Sequence, residues 1–162
     1  MRSLVFIFLA ASSLGAWARD TGPTVKGEVA LLRNGVACAP SKAPPAVKKA
    51  IWALNAIQRK PYRWGGGHGT FYDIGYDCSG TVSFLLHHAG VLEQPTPSKA
   101  LLTFGEPGAG KWITIYARNG HTFAVIAGLR IDTTGRVEGE GPRWRAEPRE
   151  PKGFVARHPP GL

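Results

Sequence analysis

The chain has 162 residues, of which 43% are hydrophobic and 19% charged, with a formal net charge of +9. This is enough for one hydrophobic core and not for two. The basic residues are dispersed, and neither a basic helix nor an aromatic-studded RNA motif is present, which argues against a nucleic-acid binder.

In chain order, MRSLVFIFLAASSLGAWARD opens with one positive charge, an apolar run from Leu4, and the small-x-small triplet Ala16-Trp17-Ala18. These predict a signal peptide over 1–18 with cleavage after Ala18. Ser12, Ser13 and Gly15 interrupt the run, which is short of the roughly 20 apolar residues that a membrane span needs. No other segment is long and apolar enough to span a bilayer. The mature protein is therefore expected to be exported and not stably membrane-inserted. Cleavage removes Arg2 alone among the charged residues, taking the charge from +9 to +8. For an exported protein that charge either favours anionic envelope polymers or lipid, or simply solubilises the surface.

Residues 19–44 read as a flexible N-terminal lead-in without strong periodicity. Cys38 lies there in NGVACAPSKAPP, without catalytic context and too far from the signal peptide for a lipoprotein. Two cysteines are weak evidence for a disulfide. A domain is expected over 45–162. It starts with an amphipathic helix over 45–59, where Val47, Ala50, Ile51, Leu54 and Ile57 share a face and Lys48, Lys49, Asn55 and Arg59 lie elsewhere.

KPYRWGGGHGTFYDIGYD follows, read as loop rather than core element. A second helix is predicted over 78–89, with Asp77 as N-cap, an apolar stripe of Val82, Leu85, Leu86 and Ala89, and Gly90 as stop. The segment after it, from Glu93 to Gly110, reads as connector. KWITIY, HTFAVIAG and LRIDTT are strand-like and separated by Asn119-Gly120 and by Gly128, and GFVARH is a short last strand. Helices first and sheet afterwards make an α+β domain.

A cysteine in the first turn of a helix meets the positive end of the peptide dipoles and unpaired N–H groups, which favour a thiolate. The N–H groups of Cys78 and Ser79 are also placed to hold an oxyanion after attack on an acyl carbon. A lone cysteine beside an apolar helix is otherwise an inert small hydrophobe. What separates the two readings is a base. His87 and His88 lie nearly three turns from the helix start and read as surface or packing residues. His158 reads as a strand-end residue, and His68 lies in the glycine-rich loop where it could line a cleft. His121 opens an apolar strand after an Asn-Gly turn, on the face of Phe123 and Val125, expected at the edge of the core face.

PYRWGG, then DCSG opening a helix, then GH starting a strand, resemble the motifs of the NlpC-type family of cell-wall cysteine peptidases. The resemblance covers roughly residues 45–134, and the chain is similar to a secreted actinobacterial-style branch of that family. It implies a reduced papain-like fold, with N-terminal helices packed on an antiparallel β-sheet. It also implies Cys78 as nucleophile, His121 as general base, and Tyr62 as a hydroxyl near the oxyanion or substrate. Trp64, Asp77 and Ser79 join Tyr62 on the substrate and oxyanion side. The loop before Cys78 departs from the family pattern by the extra residues GHGTFY.

The third polar residue is usually His, Asn or Gln on the strand after the base, where this chain has Leu129 to Thr133. A two-residue turn at Ala127-Gly128 sets Asp132 opposite Phe123, on the face of His121. A three-residue turn sets Thr133 there. Asp132 is the preferred candidate, as a carboxylate holding the imidazole Nδ1–H. The expected function is hydrolysis of an amide in peptidoglycan stem peptides, at the bond between D-glutamate and the diamino acid, by a monomer and through a thiol acyl-enzyme. The alternatives are a muramoyl-peptide amidase and a non-catalytic envelope-binding domain. No cofactor is expected, and no H-x-x-x-H or C-x-x-C motif suggests a metal.

Overall fold

The computed structural model describes residues 21–134 and 139–162. The signal peptide expected over 1–18 lies outside the described residues. The elements are β1 (Thr24–Val25), β2 (Leu31–Arg33), β3 (Val36–Pro40), α1 (Pro45–Ile57), α2 (Cys78–His88) and α3 (Ser98–Leu101). They continue with β4 (Glu106–Pro107), β5 (Ile113–Arg118), β6 (His121–Ile126), β7 (Leu129–Asp132), β8 (Arg143–Arg145) and β9 (Val155–His158). No helix among the described residues is long and apolar enough to cross a membrane.

The main sheet has the order β4-β9-β5-β6-β7-β8, and each neighbouring pair in it is antiparallel. Helices α1 and α2 pack on each other, and α2 packs on β6. Ile51, Leu54 and Ile57 from α1, Val82, Leu85 and Leu86 from α2, and Ile113, Ile115, Ala124, Ile126 and Ile131 from the sheet form one core. Burying a side chain of this size is worth about 1.5–3 kcal/mol, so this contact fixes α2 to the sheet.

Helix α1 begins at Pro45, where a missing N–H costs nothing. It stops at Ile57, two residues before the predicted end, because Gln58 turns extended and Arg59 has a φ of 74°. Helix α2 is buried at every position from Cys78 to Leu86. The reason is the preceding loop, which covers the side of α2 turned away from the sheet. The loop is therefore not wholly outside the core, as the sequence suggested: Phe71 and Tyr76 are buried, and the Tyr76 ring meets Phe84 edge-on at 5.7 Å.

The lead-in expected to be flexible is ordered over residues 21–44. Its strands form a three-stranded sheet in the order β1-β3-β2, closed by a two-residue turn at Asn34-Gly35 with both φ positive (50° and 77°). Strand β3 lies on α1, where Asn55 donates to the Ala37 carbonyl and accepts from its N–H, both at 2.9 Å. The connector after α2 likewise holds structure, in α3 and β4.

Candidate active site

Asp77 has an extended backbone (φ −90°, ψ −173°) and caps α2 by accepting from Gly80 N–H at 2.8 Å. Its main-chain oxygen accepts from Thr81 N–H at 3.0 Å. The N–H groups of Cys78 and Ser79, in the first turn, lie outside the helical ladder. Cys78 itself is 8% exposed. The loop is pressed against this turn so closely that a Cβ on Gly80 would stand 2.0 Å from the Gly66 carbonyl oxygen. Only glycine fits there.

His121 starts β6 at the rim of the sheet, close enough to Cys78 for the thiol to act on the imidazole. The faces of β6 are reversed relative to the sequence expectation. Ala124 and Ile126 point into the helix-covered core. Phe123 is instead covered from the other side by Phe154 and by Arg149. A strand buried on both faces carries no alternation from which to read its inner side.

Strands β6 and β7 pair Ala124 with Ile131, Val125 with Arg130 and Ile126 with Leu129. The turn is thus the two-residue Ala127-Gly128, with φ of 48° and 88°, which turns Asp132 and not Thr133 toward the imidazole. Asp132 Oδ1 lies 3.3 Å from His121 Nε2. The expected contact through Nδ1 is replaced by one through Nε2.

Two residues without a motif of their own complete this cluster. Thr134 Oγ1 donates to Asp132 Oδ1 at 2.8 Å and stands 2.9 Å from His121 Nε2, while its N–H closes an Asx turn on Oδ1 at 2.9 Å. Arg149 Nη1 donates to Asp132 Oδ2 at 2.7 Å and to Thr134 Oγ1 at 2.8 Å. Burial works against a charge on His121, but the hydrogen bonds and charges of Asp132 and Cys78 outweigh it and raise its pKa from 6.5 to about 9. Burial likewise works against the Asp132 carboxylate, and its bonds from His121, Thr134 and Arg149 win, lowering its pKa from 3.8 to about 2. At neutral pH His121 is an imidazolium facing Cys78.

On the other side of Cys78, the Tyr62 hydroxyl is close enough for the charges of Cys78 and Asp77 to act on it. Burial first, and those charges next, raise its pKa above 10.0. Ser79 is buried and donates to Asp77 Oδ1 at 3.2 Å. Asp77, expected beside the substrate, instead holds the local architecture together, since its Oδ2 accepts from Gly65 N–H at 3.0 Å in addition to the cap. His68 Nε2 lies 3.0 Å from Asp77 Oδ1 and 2.9 Å from Ser79 Oγ, so it touches both neighbours of Cys78. Trp64 does not join these bonds; its ring stands in solvent, 85% exposed.

The remaining histidines are structural. His87 stacks on Phe71 at 3.9 Å and His88 lies against Phe84, which anchors the loop to the far end of α2. His158 pairs with Glu106 at 3.3 Å. Cys38 is buried in β3, and neither it nor Cys78 is in a disulfide.

No family model matches the sequence, and no curated protein matches it. Among solved structures the chain is similar to the peptidoglycan hydrolase RipB from Mycobacterium tuberculosis, with 21% sequence identity and a TM-score of 0.52, over 72% of this chain and 69% of that one. The likeness is one of fold, and the helices packed on an antiparallel sheet agree with the reduced papain-like arrangement expected from the sequence.

Proposed function

We propose that the chain is an exported cysteine peptidase that hydrolyses amide bonds in peptidoglycan stem peptides, with Cys78 as nucleophile, His121 as acid and base, and Asp132 as the residue that orients the imidazole. The observation that carries this reading is the His121 imidazole brought beside Cys78 at the start of α2, with Asp132 behind it at 3.3 Å. The likeness in fold to a peptidoglycan hydrolase supports the substrate class.

In this mechanism the Cys78 sulfur attacks the carbonyl carbon, and the electron pair moves to the oxygen, where the N–H groups of Cys78 and Ser79 and the Tyr62 hydroxyl meet it. Collapse of the tetrahedral intermediate breaks the C–N bond as His121 gives its proton to the leaving amine. Neutral His121 then takes a proton from water, whose oxygen attacks the thioester, and the acid product leaves with Cys78 restored. The scissile bond proposed is the one between D-glutamate and the diamino acid, which follows from the family resemblance.

Cys78→Ser is expected to fold and to lose hydrolysis of purified sacculi by about 10³-fold or more. Full activity in that variant refutes the thiol mechanism. Mass spectrometry of the digest identifies the bond: new D-glutamate carboxyl ends support the endopeptidase, whereas intact stem peptides freed from muramic acid would make it an amidase.

A further inference from the structure

Arg149 lies between β8 and β9, 28 positions beyond His121, and no motif marks it. Its guanidinium carbon stands 5.0 Å from the Phe123 ring centre and 5.3 Å from that of Phe154, and its Nη1 contacts Asp132, Thr134 and His121 together. We propose that Arg149 is a positioning residue, which clamps Asp132 and Thr134 in place behind His121 while drawing off part of the carboxylate's hold on the imidazolium. The purpose of such a device rests on the cysteine-peptidase reading above; its geometry does not.

Hydrogen-bond accounting supports the clamp. Asp132 is 1% exposed and must find all its partners within the protein. Oδ2 accepts from Arg149, and Oδ1 accepts from Thr134 through both N–H and O–H. Having donated its proton to Oδ1, the Thr134 hydroxyl has two lone pairs, and these face Arg149 Nη1 at 2.8 Å and His121 Nε2 at 2.9 Å. The imidazolium N–H is thus shared between this hydroxyl at 2.9 Å and the carboxylate at 3.3 Å. Arg149 Nη1 and His121 Nε2 are 3.3 Å apart. Since both carry hydrogen, that contact is a meeting of like charges, which favours the neutral imidazole.

The other charged groups around the cluster do not provide the clamp. Arg130 Nε is 4.0 Å from Asp132 Oδ2 and makes no hydrogen bond, and Arg145 and Glu147 lie beyond it with opposite charges. From α2 the facing group is Cys78, and from β5 it is Arg118, the cross-strand partner of His121, whose guanidinium lies over the Phe154 ring at 4.8 Å. Removing the Arg149 charge should therefore return the full field of Asp132 to His121 and remove a repulsion, so that the imidazole holds its proton to higher pH.

The test follows the His121 ring protons by NMR through a pH titration in the Cys78→Ser background, where no thiol couples to the imidazole. Arg149→Met and Arg149→Gln are expected to raise the midpoint by about 0.5–1 pH unit, and Arg149→Lys, which keeps the charge, by less. An unchanged or lower midpoint in the Met and Gln variants overturns the proposal, as does a Lys variant that shifts as far as Met. A purely structural role for Arg149 would let water in and bring the midpoint down toward the ordinary histidine value of about 6.5. The readout is a proton and not a product, so failure of the peptidase reading appears separately, as sacculi left uncut by the protein with Cys78 intact.

Discussion

His121 and Asp132 shift each other in opposite directions, and the two shifts set the edges of the pH range in which the pair stabilises the fold. The imidazole pKa is raised from 6.5 to about 9, so its contribution is complete below pH 6.5 and is lost as pH rises through about 9. The carboxylate pKa is lowered from 3.8 to about 2, so its contribution is complete above pH 3.8 and is lost as pH falls through about 2. Urea unfolding of the protein and of Asp132→Asn should therefore show a larger stability gap at about pH 6 than at about pH 9.5. A gap that widens on the alkaline side would show that the imidazolium is not what Asp132 stabilises. That Cys78 and His121 come together was legible in the sequence because each sits at a marked start, one after an N-cap aspartate and the other after an Asn-Gly turn. Asp132 was legible only as the preferred one of two candidates, because the sequence left the length of the turn open and only the chemistry of a carboxylate favoured it over Thr133. Thr134 had a faint signal, since Asp-x-Thr favours an Asx turn. Arg149 had none, because its place depends on the packing of Phe123 and Phe154 and not on any local pattern.

The loop between α1 and α2 lies along the whole of α2, held at one end by Gly67, Asp77 and His68 and at the other by Phe71 on His87. Its seat against the first turn leaves no room at Gly80. Gly80→Ala should destabilise the protein by about 2–3 kcal/mol, since the added methyl meets a main-chain carbonyl and not a flexible side chain. Hydrolysis should fall with it, because relief requires the turn carrying Cys78 to move. Gly69→Ala, in the same loop, meets nothing within 4 Å and should change unfolding by less than about 0.5 kcal/mol. Equal effects of the two changes, measured by urea unfolding, would remove the contact as the cause. Both long helices were legible because their apolar spacing or capping is strong. Strands β1 to β3 were not: the buried part of β3 is Ala37, Cys38 and Ala39, and such small residues give little β signal until α1 covers them. The Asn34-Gly35 hairpin turn was visible in the sequence and is the clue that the flexible reading overlooked.

At the scale of the molecule, the small sheet and the main sheet are joined through one side chain of α1. Asn55 bonds both main-chain groups of Ala37 in β3, and its Oδ1 also accepts from Trp144 Nε1 in β8 at 2.9 Å. Sequence periodicity placed Asn55 off the apolar stripe, which is true of the helix taken alone and misses the strand that later lies on that side. Asn55→Ala leaves three polar groups without partners and should lower stability by about 2–4 kcal/mol, while leaving Cys78 and His121 in place. Thermal unfolding checks this, and a loss below about 1 kcal/mol would mean that water replaces the amide. The sheet order was legible only in part, because β9 inserts between β4 and β5 from the far end of the chain, and no local pattern encodes such a return. The turn at Ala127-Gly128 has a wider consequence. What stands behind His121 is decided by how many residues make that turn, so one added residue would exchange the carboxylate for a neighbouring side chain while all three proposed catalytic residues remained in the sequence. A comparison of chains of this fold that only checks whether the three residues are present would count such a protein as active; the length of the hairpin is the better diagnostic.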